Sequence, residues 1–390
     1  MNLFDIARVA LGLVVLVGGG ELLIRGASAV AAKWGLSPLV IGLTVVAVGT
    51  SAPEFAVTVG AVARGETDLA VGNVVGSNIA NTLLILGLAA LILPLAVKKQ
   101  LVRFDVPVMI GLSAALLLCS LDGEITRLDA AVLLVVTLAH TVTTVILGRK
   151  DDPSATKTAA FRSDQPTGGD PAGTRRGSTT SSSPTTTAAV GPNTVVCVLL
   201  MATGIALLVG GASLLVTGAV NIATSLGVSG LIIGLTVVAV GTSLPELATS
   251  IIAAIRGERD IAIGNVVGSC IANIGFVLAI PALFTDRGIP VAAPAIALDI
   301  PLMLAAAVAL APVIFTGFTV QRWEGALFLA LYAAYTTFLV LDATGHQALT
   351  GFTWALAFFA LPLVLITLAA TLAYDLKRRT VLRHEVRDVR

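Results

Sequence analysis

A stretch of thirteen residues occurs twice in this chain. GLTVVAVGTSAPE runs from Gly42 to Glu54, and GLTVVAVGTSLPE runs from Gly234 to Glu246. At the same offset of 192 positions, GNVVGSNIAN (Gly72–Asn81) returns as GNVVGSCIAN (Gly264–Asn273). From Gly42 to Gly87, 29 of 46 residues are identical in the second copy, a clear internal duplication. Both copies lie inside long apolar runs, so each places one carboxylate where a charge is costly. Such a carboxylate in each half of a duplicated chain points to one ion or substrate site at the interface of two repeats.

The chain is 56% hydrophobic and 12% charged, far from the usage of soluble domains. Eleven apolar runs are long enough to cross a bilayer, at 5–25, 38–63, 68–95, 104–120, 126–148, 194–217, 228–255, 260–284, 295–316, 323–342 and 352–374. The first contains Glu21 and Arg25 and lacks a small-residue cleavage site, so it reads as a retained span. With the N-terminus outside, 20 of the 24 Lys and Arg residues fall on one side of the membrane, a strong positive-inside signal. The expectation is an integral membrane protein, in a prokaryotic cytoplasmic membrane, with the central linker and C-terminus cytoplasmic.

Each repeat holds five spans. Five is odd, so the second copy must be inverted relative to the first. The sequence therefore predicts an all-α membrane protein of two inverted five-helix repeats, ten transmembrane helices, plus an eleventh C-terminal helix. Residues 1–148 form the first repeat (motif 42–87) and 194–342 the second (motif 234–279). Residues 149–193 are rich in Ser, Thr, Pro and Gly and cannot bury a core, so a disordered cytoplasmic linker is expected. Residues 343–390 carry the extra helix and a basic cytoplasmic tail.

Ala47, Ser51, Glu54 and Thr58 are spaced to share one helix face. Pro53 removes a backbone donor and is expected to free carbonyls near Ala47 and Gly49. Asn73, Ser77 and Asn81 follow at four-residue intervals on the next span. The second copy supplies Ala239, Ser243, Glu246 and Ser250 with Pro245, then Asn265, Ser269 and Asn273. Carboxylates, hydroxyls, amides and carbonyls are hard oxygen donors, suited to Ca²⁺ or Na⁺ rather than to soft transition metals. No neighbouring Lys or Arg neutralises Glu54 or Glu246, so a cation or a proton must.

Other polar residues have plainer readings. Asn73 and Asn265 read as helix glue, and Glu21 with Arg25 as a local ion pair. Asp105 and Asp299, each ahead of a proline, read as helix-start caps. His140 reads as a packing histidine. Cys119, Cys197 and Cys270 are isolated and read as small core residues.

At GTSAPE with GNVVGSNIAN and GTSLPEL with GNVVGSCIAN, the chain resembles the sodium/calcium exchanger family of Ca²⁺:cation antiporters, prokaryotic type. The resemblance implies ten helices, four ion sites at mid-membrane and exchange of about three Na⁺ for one Ca²⁺ by alternating access. Carried over, Glu54 and Glu246 would be the shared carboxylates, completed by backbone oxygens of Thr50 and Thr242. Ala47, Ser51 and Ser77 would form a Na⁺ site with Glu54. Ala239, Ser243 and Ser269 would form its mirror with Glu246. Asn81 and Asn273 would face the centre. Some relatives carry an acid where this chain has Asn273, which argues against K⁺ co-transport and leaves Na⁺ or H⁺ open as counter-ion. H⁺/Ca²⁺ antiport with the same glutamates is the alternative, and a passive cation channel a weaker one. No zinc-hydrolase or serine–histidine pattern is present, so no enzyme is expected. Ca²⁺ and Na⁺ would be cargo rather than cofactors. The bilayer is the only large partner implied; nothing points to nucleic acid or a required protein partner.

Overall fold

The computed structural model describes residues 3–148 and 193–362, except 229, 234–236, 238 and 316–317, with 365–367 and 369 beyond. The linker up to residue 192 and the basic tail fall outside the described residues. What is described is almost entirely helical. Seven helices are long and apolar enough to cross a membrane, or eight counting one bent pair. They are Leu3–Trp34, Thr67–Ile92, Leu101–Cys119, Arg127–Gly148, Thr194–Ser225, Arg259–Phe284 and Arg322–Ala343, with Pro38–Thr50 and Ala52–Ala63 as the bent pair.

Leu244–Ile255, Ala295–Ala311 and Ala348–Phe358 are shorter apolar helices, and the apolar runs that hold them include residues outside the described set. The polar motifs break or loosen the helices that carry them. Wide π-helical turns occur at Gly42–Val46, Ala80–Ile85, Leu101–Asp105, Asn273–Leu278 and Ala295–Asp299. Such turns accumulate at functional sites because they re-aim side chains and loosen the backbone ladder.

Burial separates centre from rim. In Arg259–Phe284, 83% of the apolar window is buried, and in Thr67–Ile92, 72%. The figure is 28% in Leu3–Trp34 and 6% in Arg322–Ala343. The two GNVVGS helices thus form the core. The peripheral helices turn Leu11, Val14, Val135 and Leu199 outward, as a lipid-facing surface requires.

Leu3–Trp34 and Thr194–Ser225 are the principal peripheral pair. At 32 residues each is about 48 Å long, well beyond the hydrocarbon thickness. A Cβ placed on Gly12 would lie 2.8 Å from the Gly211 carbonyl oxygen; one on Gly19 would lie 2.9 Å from that of Gly204. Gly26 meets Cys197, and Gly218 meets Asp5, in the same way. As one number rises the other falls, so the helices run antiparallel with backbones in contact. Small residues are what permit this approach between apolar helices.

Two short antiparallel ladders tie the halves at their ends. Leu95–Ala96 (β1) pairs with Thr319–Val320 (β4), and Glu124–Ile125 (β2) with Ile289–Pro290 (β3).

Asp105 and Asp299 are not helix-start caps. Asp105 ends a π-helical turn inside Leu101–Cys119, where the helix has already begun, and makes no capping bond. Fully buried, it lies 2.9 Å from His140 Nε2 and accepts from Thr144 Oγ1 at 3.1 Å. His140 is therefore an anchored partner rather than a packing residue, and Phe104 stacks on its ring with centroids 5.3 Å apart. Asp299 accepts from the Tyr335 hydroxyl at 3.2 Å. Glu21 does pair with Arg25, at 2.6 Å, and also takes Arg256 from the other half, a partner that local spacing could not reveal.

Candidate functional site

Ser37 accepts from Val40 N and, with Pro38 behind it, starts the helix that leads to the site. That helix stops at Ser51, whose φ of −78° and ψ of 8° leave the helical region. Pro53 then restarts the chain at 44° to the first segment. The second copy repeats this: Ser243 has φ −87° and ψ 8°, and Pro245 starts Leu244–Ile255. Each break leaves its glutamate in the first turn of a helix, where unpaired backbone N–H groups favour negative charge. Ala47, Ser51, Glu54 and Thr58 therefore do not lie on one continuous face; the bend at Ser51 divides them.

The serines cross over. Ser51 Oγ donates to Glu246 Oε1 at 3.1 Å, and Ser243 Oγ donates to Glu54 Oε1 at 3.2 Å. Each hydroxyl serves the carboxylate of the other copy, which joins the two motifs into one site. Both glutamates, Thr50, Ser51, Ser77, Asn81, Ser243, Ser269 and Asn273 are buried, the glutamates completely. Thr242 is half-buried. Ala239 lies in the short helical turn Ala239–Gly241 just ahead of it.

Asn73 and Asn265 hold the broken segments. Asn73 Nδ2 donates to Glu54 O at 3.1 Å and to Thr58 Oγ1 at 3.0 Å. Asn265 Nδ2 donates to Glu246 O at 3.4 Å and to Ser250 Oγ at 3.0 Å. Thr50 Oγ1 lies 3.1 Å from Asn265 Oδ1. These amides bind helix to helix and leave the carboxylates to face inward.

The Ala47 carbonyl is not freed by Pro53. It accepts from Ser51 N at 3.0 Å, with Thr50 Oγ1 at 3.2 Å and Ser269 Oγ at 3.5 Å. The proline lies too far along the chain to strip this carbonyl of its partner.

What remains unpaired defines the chemistry. Glu54 Oε2, Glu246 Oε2, Asn81 Oδ1 and Asn273 Oδ1 are buried acceptors without a protein donor. No ion pair among the described residues includes either glutamate. Buried acceptors without donors are strongly unfavourable unless a cation or water completes them. Among the described residues no group of three or more His, Cys, Asp or Glu converges, so the site lacks the dense ligand set of a resident transition metal. Two carboxylates with neutral amide and hydroxyl oxygens suit a hard cation.

Asn78 belongs to the site, and the sequence reading passed over it. It occupies the one position at which the two decapeptides differ, opposite Cys270. Its Nδ2 donates to Cys270 O at 3.1 Å, and its Oδ1 accepts from Asn273 Nδ2 at 3.1 Å. Asn273 is thereby oriented, whereas neither amide atom of Asn81 has a protein partner. The mismatch at 78/270 was the available signal.

Known proteins share this architecture. The sodium/calcium exchanger protein family model matches residues 4–145 and 196–341. The sodium/calcium exchanger MaX1 of Methanosarcina acetivorans is 32% identical over 339 residues, 84% of this chain and 96% of that protein. The inner membrane protein YrbG of Escherichia coli is 34% identical over 281 residues, 72% of this chain and 79% of that protein. A solved structure of the sodium-calcium exchanger NCX_Mj superposes with a TM-score of 0.68 at 31% identity, covering 85% of this chain and 97% of that one. Both halves of the duplication, with the broken helices and paired glutamates they carry, lie within the family match: the chain is an integral membrane protein of the sodium/calcium exchanger family.

Proposed function

We propose that this protein exchanges Ca²⁺ for Na⁺ across the membrane by alternating access. The observation that carries the reading is the pair of buried glutamates, each held by the other motif's serine and each with one oxygen lacking a protein donor. Together they neutralise one Ca²⁺, and the surrounding amide, hydroxyl and carbonyl oxygens can supply a coordination of about 6–8. Glu54 and Glu246 are the shared carboxylates in this reading. Backbone oxygens of Thr50 and Thr242 complete the Ca²⁺ site, with Asn81 and Asn273 facing it. Ala47, Ser51 and Ser77, and their counterparts Ala239, Ser243 and Ser269, serve Na⁺.

Two carboxylates in low dielectric repel each other when empty, so the unloaded site resists changing sides. Either Ca²⁺ or several Na⁺ relieves that repulsion, which makes movement conditional on occupancy and exchange obligatory. Three Na⁺ against one Ca²⁺ would carry one net charge and respond to the membrane potential. The reading includes two inverted five-helix repeats related by a pseudo-two-fold axis. The antiparallel glycine-faced helices and the reciprocal Ser–Glu bonds support it. The charge distribution supports an external N-terminus and a cytoplasmic linker and tail.

The test is ⁴⁵Ca²⁺ uptake into proteoliposomes loaded with Na⁺, against vesicles loaded with choline at equal pH. Uptake that needs internal Na⁺ is the expected result; uptake driven by a pH gradient without Na⁺ replaces the counter-ion with H⁺. Glu54→Gln removes a charge from the site. It should cost about 3 kcal/mol of ion binding, roughly 100-fold in flux at limiting Ca²⁺. Retained Ca²⁺ flux in folded Glu54→Gln protein sinks the site assignment.

A further inference from the structure

We infer that Asp299 holds a Na⁺ ion in a vestibule beside the central site. The inference rests on the ion-exchange reading and adds an entry site to it. A cavity of about 400 Å³ lies between the helix Thr67–Ile92 and the helices carrying Asp299 and Tyr335. Much of the lining is apolar, including Val57, Leu69, Val75 and Leu339; its polar groups are Asn73, Ser77 and Thr242 on one wall and Asp299, Tyr335 and Thr336 on the other. Ser77 and Thr242 are candidate ligands of the central site, so cavity and site share a wall. Among the described residues of the lining, Asp299 carries the only charge.

The chemistry of this lining selects the ion. A single carboxylate among neutral hydroxyls and an amide is balanced by one positive charge. Ca²⁺ would stay one charge short of balance there and would lack the second carboxylate that the central site offers. The Tyr335 hydroxyl donates to Asp299 Oδ1 and fixes the carboxylate against the cavity wall. At about 30 Å³ per water the cavity has room for a partly hydrated ion. A weak site ahead of a strong one is the usual arrangement for loading a buried cation, since each step then exchanges only part of the hydration shell.

The first half has a corresponding acid. Asp105 ends a π-helical turn as Asp299 does, and it pairs with His140 and Thr144 where Asp299 pairs with Tyr335. In the first half the three side chains are buried and hydrogen-bond one another, and the described cavity does not reach them. The floor differs too. A Cβ on Gly72 or Gly76 would meet nothing within 4 Å, while on Gly268 it would meet the Leu43 carbonyl oxygen at 2.5 Å.

The experiment measures the Na⁺ dependence of ⁴⁵Ca²⁺ uptake in proteoliposomes holding the parent chain, Asp299→Asn or Tyr335→Phe. Half-saturating Na⁺ should rise about five-fold in Asp299→Asn and about two-fold in Tyr335→Phe, with half-saturating Ca²⁺ moving less than about two-fold. Equal shifts for both ions, or no shift in either variant, overturn the proposal. So does a shift that follows pH with Na⁺ held constant, which would mark a proton site. Should Asp299→Asn fail to fold, Tyr335→Phe decides alone, because it leaves the carboxylate in place. Equilibrium ²²Na⁺ binding to purified Glu54→Gln protein separates this proposal from the central one. A weak saturable component should remain there and vanish when Asp299→Asn is added. Its absence from the Glu54→Gln protein overturns the Asp299 site, whereas Ca²⁺ flux retained by Glu54→Gln overturns only the central assignment.

Discussion

GNVVGS is one sequence in two environments. In Arg259–Phe284 its glycines are pressed against another helix: a Cβ on Gly264 would lie 2.9 Å from the Leu39 carbonyl oxygen, and one on Gly268 2.5 Å from that of Leu43. In Thr67–Ile92 the same glycines face open space. Since the hexapeptides are identical, the difference belongs to what packs on them. The segment Pro38–Thr50 closes over the second copy, while the first copy faces the Asp299 cavity; the segment matching Pro38–Thr50 in the second half lies partly outside the described residues. Among the described residues, then, two identical hexapeptides are packed unlike. A protein that alternates between two packings needs a face that tolerates both contact and exposure, and glycine supplies it because it has no side chain to desolvate or displace.

The largest expected effect comes from giving that face a side chain. Gly268→Ala drives a methyl group into a backbone carbonyl that cannot rotate away, at a cost of about 3 kcal/mol. Gly76→Ala meets nothing and should gain about 0.5–1 kcal/mol through better helix propensity. Thermal unfolding in detergent should therefore move in opposite directions for the two variants. Melts that shift together would erase the comparison. Slower Ca²⁺ exchange in a stabilised Gly76→Ala protein would sharpen it, by showing that this face has to close during the cycle.

The acids make the next contrast. Asp105 is sealed with His140 and Thr144; Asp299 is half-buried at a cavity and accepts from the Tyr335 hydroxyl. Asp105→Ala strips two buried groups of their acceptor and should cost about 2–3 kcal/mol. Asp299→Ala should stay within about 1 kcal/mol, because water can reach the hydroxyl it leaves. The same melts measure this. A larger loss at Asp299 than at Asp105 would mean that the cavity carboxylate is a structural strut and weaken its role in ion entry.

Much of this was legible in the chain. The duplicated GTS-x-PE and GNVVGS motifs pointed to a helix break beside each proline and to the membrane glutamates, because proline and a membrane carboxylate each have few structural explanations; the break itself falls at Ser51 and Ser243 and divides the face that spacing drew. Asn81 and Asn273, which the family resemblance placed at the centre, are buried. Cross-chain pairing was not legible. Periodicity groups residues within one helix, so it assigned Ser51 to Glu54 when its hydroxyl reaches Glu246, and it could not link Asp105 to His140 or Glu21 to Arg256. Span counting by hydropathy located the apolar runs, seven or eight of which form spanning helices among the described residues, but not the bend and the polar turns inside them. Asn78 was not legible from the shared pattern because it occupies the single position where the decapeptides differ.

That position gives the smallest of these effects and the most specific. Asn78 Oδ1 takes a hydrogen bond from Asn273 Nδ2, and Asn78 Nδ2 gives one to the Cys270 carbonyl. A cysteine at 78 would make the decapeptides identical and leave the Asn273 amide without its acceptor. Asn78→Cys should cost about 1–2 kcal/mol in stability, the usual penalty for an unpaired buried donor. It should also raise half-saturating Ca²⁺ by about three-fold, because the Asn273 amide would lose the contact that fixes its orientation. Cys270→Ser is the matched change. Its Sγ lies 3.7 Å from Thr82 Oγ1 and 3.8 Å from Asn78 O, contacts that a hydroxyl can keep, so stability should change by less than about 0.5 kcal/mol. A Ca²⁺ shift in Asn78→Cys without one in Cys270→Ser ties the asymmetry of the pair to the orientation of Asn273. Equal shifts in both would make 78/270 a packing contact, and the two halves would then differ in closure but not in how they aim their ligands.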